Sequence, residues 1–236
     1  MDFTLNNLLN TSLNWLFPHQ CISCKTSKLP QKATFCDSCY SKLPFRSHGC
    51  HQCGQPIAAS QDYCGRCLNA PPYFDICFCP FSYQDEIKRL IQDFKYYEQP
   101  QLSSALAAMF VKELHDNGIE LPQLLIPVPC HISRLRARGY NQSQLLALAL
   151  SKQLDIPIDL KVIVKNKKTE PQVNQTVKNR RNNLRNCFKM QKTISAKSVA
   201  IIDDVVTTGA TANEIAKILK KNGVDYIQIW GLSHTE

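Results

Sequence analysis

Four Cys-x-x-Cys pairs crowd the first third of the chain: "CISC" (Cys21, Cys24), "CDSC" (Cys36, Cys39), "CHQC" (Cys50, Cys53) and "CGRC" (Cys64, Cys67), with ten or eleven residues between consecutive pairs. Each such turn aims two thiolates at one point, and two turns complete a tetrahedral four-sulfur shell. A closed shell of this kind marks structural rather than catalytic zinc. The four pairs therefore predict two zinc ions in a double zinc ribbon over residues 18–70. The even spacing lets adjacent pairs share an ion or alternate pairs interleave; adjacent pairing is the favoured arrangement. Disulfides are the competing use of paired cysteines, and they need an oxidising compartment. The start, "MDFTLNNLLNTSLNWLFPHQC", has neither the charged n-region nor the cleavage site of a signal peptide, so a cytoplasmic protein is expected. A ribbon buries little apolar surface, so metal binding is expected to supply its folding energy, about 10–16 kcal/mol per site.

The other cysteines, Cys77, Cys79, Cys130 and Cys187, have no ligand spacing. Cys77 and Cys79 alternate within "YFDICFCPFSY", as small core residues of a strand do. Leu5, Leu8, Leu9, Leu13 and Leu16 fall near one helical face, which predicts an amphipathic docking helix over residues 1–17. No run of about 18 apolar residues exists, so no membrane span is expected. The formal net charge of +9 favours acidic partners such as nucleic acid or phosphate esters.

"NAPPYF" marks a boundary near residue 70, after which the pattern alternates between strands and helices. Ile87, Leu90, Ile91 and Phe94 make one helical stripe; Leu102, Ala105, Leu106, Met109, Phe110 and Leu114 make a second; Leu145, Leu146, Ala149 and Leu150 make a third. "LLIPV", "KVIVK", "SVAIID" and "YIQIWGL" read as strands, and "TANEIAKILKKNG" as a helix ended by Gly223. The alternation predicts an α/β domain over residues 71–236 with a mostly parallel sheet flanked by helices.

One strand of that domain runs into "IIDDVVTTGAT" (Ile201 to Thr211). In an open α/β sheet, ligands bind beyond the carboxyl ends of the strands. Thr207, Thr208, Gly209, Ala210 and Thr211 would offer hydroxyls and backbone N–H groups to an anion at the positive end of a helix dipole. The Gly-Lys-Ser/Thr ending of a Walker A loop is missing. Asp203 and Asp204 stand beside the loop, where carboxylates accept hydrogen bonds from neighbouring sugar hydroxyls, directly or through Mg2+. A ribose carrying a 5'-phosphate would meet both groups at once.

This stretch resembles the phosphoribosyl-diphosphate motif of type I phosphoribosyltransferases, and the likeness extends along the chain. "IPVPCHISRLRARGYNQS" (residues 126–143) resembles the pyrophosphate-loop region of the ComF/GntX family, with Arg134, Arg136 and Arg138 leading into Gly139, Tyr140, Asn141 and Gln142. Gln172, Arg180 and Asn183 match the family's later segment, and Phe188 closes it; Gln175 replaces its usual Leu and Cys187 its usual Ala. Lys95 in "FKYYEQ" matches the family's lysine after a helix. A double zinc ribbon ahead of a type I phosphoribosyltransferase-like domain is that family's arrangement. The resemblance implies a parallel sheet flanked by helices, binding phosphoribosyl diphosphate with Mg2+ through the residues just named.

It also implies a role in natural transformation: handling incoming single-stranded DNA on the cytoplasmic side, with other competence proteins at the inner-membrane DNA channel as partners. Residues 161–197 carry many Lys and Arg and one acid, Glu170. Lys165, Lys167, Lys168, Lys178, Arg180, Arg181 and Arg185 are suited to neutralising a phosphate backbone. A basic hood closing over a diphosphate fits the same composition. The alternative function is an active phosphoribosyltransferase on an unidentified acceptor. No general base or acceptor pocket is legible, so no catalytic residue is assigned.

Overall fold

A computed structural model of the chain describes residues 20–26, 29, 33–47, 49–96, 99–165 and 187–235. It divides into two compact units, the division falling in the chain between Leu43 and Pro44. The expected helix over residues 1–17 lies outside the described residues.

In the first unit, tight turns gather the cysteines. The Cys21 N–H donates to the Thr26 carbonyl at 3.0 Å and the Ile22 N–H to Thr34 at 3.1 Å. The second pair opens helix α1 (Asp37–Tyr40), a single turn. Phe35 and Leu43 are buried, and the Phe35 ring meets Tyr40 edge-on.

The second unit begins with the third and fourth pairs. The Cys50 N–H donates to Gln55 and the Gly54 N–H to Cys50, both at 2.8 Å, and Cys64 precedes helix α2 (Gly65–Asn69). By sequence these residues finish the ribbon; by packing they belong to the α/β body. Cys50, Cys53 and Cys67 share one buried cluster with Phe74, Ile215 and Ile229.

The body is built on a parallel sheet: β1 (Ile76–Phe78), β2 (Phe81–Ser82), β3 (Leu124–Pro127), β6 (Ser198–Val206) and β7 (Tyr226–His234). Its order is β1-β7-β6-β3, and β2 pairs further along β7. Central parallel strands are covered on both faces and read as continuous apolar runs. β7 fits this, since all its residues after Tyr226 are buried. Strand alternation then sorts the packing. Val199, Ile201, Ile227 and Ile229 face α7 (Ala210–Lys221) through Ala212, Ile215 and Leu219. Trp230 faces the other way, onto Phe110 of α4 (Leu102–Asp116), with ring centroids 5.7 Å apart. Gly231 has no room for a side chain: a Cβ there would lie 2.7 Å from Val206 Cγ2 and 2.9 Å from Cys79 Sγ.

Helix α3 (Asp85–Tyr96) buries Ile87, Leu90, Ile91 and Phe94, the stripe read from the sequence. Helix α6 (Gln142–Leu154) turns slightly from its expected face: Leu146 and Leu150 are buried, but Ala147 takes the place of Leu145 and Ala149, and Gln142 and Ser143 go inward too. The segment between "IPVP" and "NQS" holds a further helix, α5 (Ile132–Arg138). "KVIVK" does form a strand, β4 (Ile163–Lys165), but outside the parallel sheet. It pairs antiparallel with β5 (Phe188–Met190), a three-residue strand with no periodicity to mark it in the sequence. Among the described residues no helix is long and apolar enough to cross a membrane.

Candidate functional site

β6 delivers Asp203 and Asp204 to the carboxyl edge of the sheet, and Thr207–Gly209 lead on into α7. Gly209 occupies the N-cap position with φ +68°, the left-handed region that favours glycine. A Cβ there would also touch the Phe74 ring, at 3.5 Å. Gly209 has no side chain to cap α7 and no acid lies in the first turn; the Thr208 hydroxyl accepts the Ala210 N–H, a long bond at 3.4 Å. The α7 amides and dipole therefore face the loop side. Thr207 is exposed and Thr208 to Thr211 are half-buried, within reach of a ligand.

The two carboxylates have distinct neighbours. Asp204 is buried, and its Oδ2 lies 2.8 Å from the Lys95 ammonium, which α3 presents in its last turn. Its Oδ1 accepts the Val205 N–H at 2.8 Å. Burial alone would lower the Lys95 pKa, but the Asp204 carboxylate, aided by Asp203, more than offsets this and holds it above the ordinary lysine value. Asp203 Oδ1 accepts from the Ser143 hydroxyl at 3.0 Å and from the Asp204 N–H at 3.0 Å. Desolvation, then the charge of Asp204, pushes the Asp203 carboxyl up to about 7, against the pull of Lys95. The pair is thus one charge balanced by lysine and one carboxyl poised near neutrality, a suitable acceptor for ligand hydroxyls or a divalent cation.

This raised value has a measurable consequence. The folded chain holds the Asp203 proton more tightly than the unfolded chain does, so the contribution is full at low pH and fades as pH rises through about 7. Asp203→Asn is expected to lose less stability than the wild type between about pH 5 and pH 8, read from urea midpoints. Identical pH dependence in both proteins would show that Asp203 titrates as an ordinary carboxyl.

Residues near the arginine segment brace the site. The Tyr140 hydroxyl donates to the Phe94 carbonyl at 2.6 Å, Asn141 Nδ2 to the Val128 carbonyl at 3.0 Å, and Gln142 Nε2 to the Lys95 carbonyl at 3.4 Å. These bonds tie the ends of α3 and β3 to the start of α6. Successive alternate residues of a helix point about 200° apart, so Arg136 and Arg138 do not share a face. Arg138 lies over the Tyr96 ring at 4.9 Å from its centroid. Arg134 takes its place in α5. Of the residues assigned to nucleic acid, Lys165 sits on β4 above the Phe188 ring, 5.5 Å from its centroid. Lys167, Lys168, Lys178, Arg180, Arg181 and Arg185, with the motif residues Gln172 and Asn183, lie outside the described residues. Sequence reasoning missed Ser143; the nearest signal was a polar Asn-Gln-Ser start on an otherwise apolar helix.

The cysteines assemble as adjacent pairs. Cys21, Cys24, Cys36 and Cys39 form one cluster and Cys50, Cys53, Cys64 and Cys67 another, with sulfurs in each within 4.8 Å of one another. Four sulfurs at 2.3 Å from zinc stand about 3.8 Å apart in a tetrahedron. The Cys24–Cys36 separation is 3.8 Å and the Cys53–Cys64 separation 3.6 Å. Both quartets fit structural zinc. Cys77 and Cys79 are buried core residues, as read from their alternation.

Residues 12–68 match the Double zinc ribbon domain, and residues 141–231 match the Phosphoribosyl transferase domain. The chain is 35% identical over 224 residues to Competence protein F of Haemophilus influenzae, covering 92% of this chain and 97% of that one. It is 36% identical over 190 residues to DNA utilization protein YhgH of Escherichia coli O157:H7, covering 79% and 84%. To Competence protein ComFC of Bacillus subtilis it is 26% identical over 198 residues, covering 80% and 78%. With both domains in this order and a relative matched almost end to end, the chain belongs to the ComF/GntX family, a double zinc ribbon followed by a phosphoribosyltransferase domain.

Proposed function

We propose that the chain binds phosphoribosyl diphosphate with Mg2+ at the carboxyl edge of β6 and handles incoming single-stranded DNA during natural transformation, on the cytoplasmic side. The observation that carries the ligand reading is the pairing of Asp203 and Asp204 with the α7 N-terminus behind the Thr207–Thr211 loop, where the glycine N-cap offers no side chain. In this reading the 5'-phosphate lies on the loop amides, and the ribose hydroxyls meet the two carboxylates, with Mg2+ toward the pyrophosphate. Arg134, Arg136 and Arg138 lie on the segment assigned to pyrophosphate.

Calorimetric titration of the zinc-loaded protein with phosphoribosyl diphosphate and Mg2+ tests this. Micromolar binding is expected, lost when Asp203→Asn and Asp204→Asn are combined. Asparagine is chosen because it keeps an oxygen near Lys95. Unchanged affinity in the double variant would remove the ribose role. Pyrophosphate release with an added acceptor would convert the binding protein into a phosphoribosyltransferase.

The DNA reading is supported by relatives named for competence and DNA utilization and by the net charge of +9. Other competence proteins at the inner-membrane channel are the partners this role implies. Single-stranded DNA binding is expected to weaken with salt at a log–log slope of about −0.7 per neutralised phosphate. A flat response would count against the basic segment as a DNA track.

A further inference from the structure

The Thr207–Thr211 loop does not face open solvent on every side. A cavity of about 220 Å³ adjoins it, and its opposite wall comes from the second cysteine quartet: Arg66 and Cys67 of α2, with Phe74 between them and Thr208, Gly209 and Asn213. At roughly 30 Å³ per water, such a cavity holds several waters, enough space for a phosphate group. Arg66 is the one cation among its described lining residues. The one acid, Glu214, sits in the second turn of α7, past the first-turn amides.

The wall is built rather than incidental. Gln52, between the ligands Cys50 and Cys53, donates through Nε2 to the Phe74 carbonyl at 3.1 Å. The neighbouring Tyr73 N–H donates to Asn213 Oδ1, on α7, at 2.7 Å. Phe74 then packs against Gly209. Knuckle, connecting segment and loop form one continuous chain of contacts.

Arg66 lies between the ligands Cys64 and Cys67 on α2, so the turn that carries the quartet also sets its side chain on the cavity wall. A guanidinium carries five N–H donors in a planar fork. Arg66 is exposed, so this fork is open to an acceptor in the cavity.

We propose that Arg66 is a further ligand-binding residue of this site: it contacts the phosphate held on the Thr207–Thr211 loop, and the second zinc quartet positions it. The inference rests on the phosphoribosyl-diphosphate reading and extends it to the ribbon. It makes the zinc module part of the binding site, so that the second metal serves ligand recognition as well as folding.

The test is titration of phosphoribosyl diphosphate and Mg2+ into the full zinc-loaded chain, as wild type, Arg66→Gln and Arg66→Lys, with zinc content and melting temperature measured on each. Arg66→Gln should keep both zinc ions and bind about tenfold more weakly or worse, since a hydrogen bond to a charged group is lost. Arg66→Lys should recover part of the affinity, because the charge is restored without the fork. The salt dependence of binding should flatten in Arg66→Gln and return in Arg66→Lys. A merely structural arginine would lower zinc content or melting temperature and leave the salt dependence unchanged, which would overturn the inference. Equal affinity in wild type and Arg66→Gln would overturn it while leaving the parent reading intact. Absence of binding by the wild type would overturn both.

Discussion

Cys53→Ser is expected to halve the bound zinc, from two ions per chain to one, and to lower the melting temperature of the α/β unit. The metal count follows from the two separate four-sulfur clusters. The melting effect follows from where the second cluster sits. Cys50, Cys53 and Cys67 are packed in the same buried cluster as Ala212, Ile215 and Ala216 of α7, so losing the metal exposes apolar surface of the body itself. Structural zinc supplies on the order of 10–16 kcal/mol, as much as the whole net stability of a typical domain, about 5–15 kcal/mol. Cys24→Ser should also cost one zinc, yet it lies in the other compact unit and should leave the melting of the α/β unit unchanged. Elemental analysis and differential scanning calorimetry on both variants decide the matter. Two ions retained in Cys53→Ser would refute the quartet; one ion lost with no change in melting would show that packing suffices without metal.

Lys95→Met should destabilise the protein by about 3–5 kcal/mol, because it strands the Asp204 carboxylate in a nearly dry site. The two side chains keep only 16% and 12% of their surface, so solvent screening offers little relief. Adding Asp204→Leu should recover most of the loss, since replacing both members of a buried ion pair with apolar groups is often neutral or better. Urea unfolding of the two single variants and the double variant completes the cycle. A single-variant loss under about 0.5 kcal/mol would mean that water reaches Asp204 freely. The loss should also be accompanied by a further rise in the Asp203 pKa, because Lys95 is the charge that holds it down.

The zinc quartets and the parallel sheet were legible because each depends on a local repeat: ligand spacing for the quartets, alternating strand and helix patterns for the sheet. The Asp203–Asp204 loop was legible for the same reason, since its acids, threonines and glycine are contiguous. What escaped depends on contacts across the chain. Lys95 was singled out, but nothing near it in sequence shows that it pairs with a carboxylate more than a hundred residues away. Ser143 reads as an ordinary helix-start serine until the fold sets its hydroxyl on Asp203. The three-residue β5 is too short for periodicity to register, and its partner β4 looked like a sheet strand because apolar residues run through both settings. Nothing in the arginine segment's sequence marks it as helical; as α5 it points Arg136 and Arg138 to different faces.

The antiparallel β4–β5 pair holds Lys165 directly opposite Phe188, so two residues far apart in the chain become cross-strand neighbours. The two strands form a sheet of their own. Fraying this pair therefore breaks no ladder bond of the parallel sheet, and local opening there can precede global unfolding.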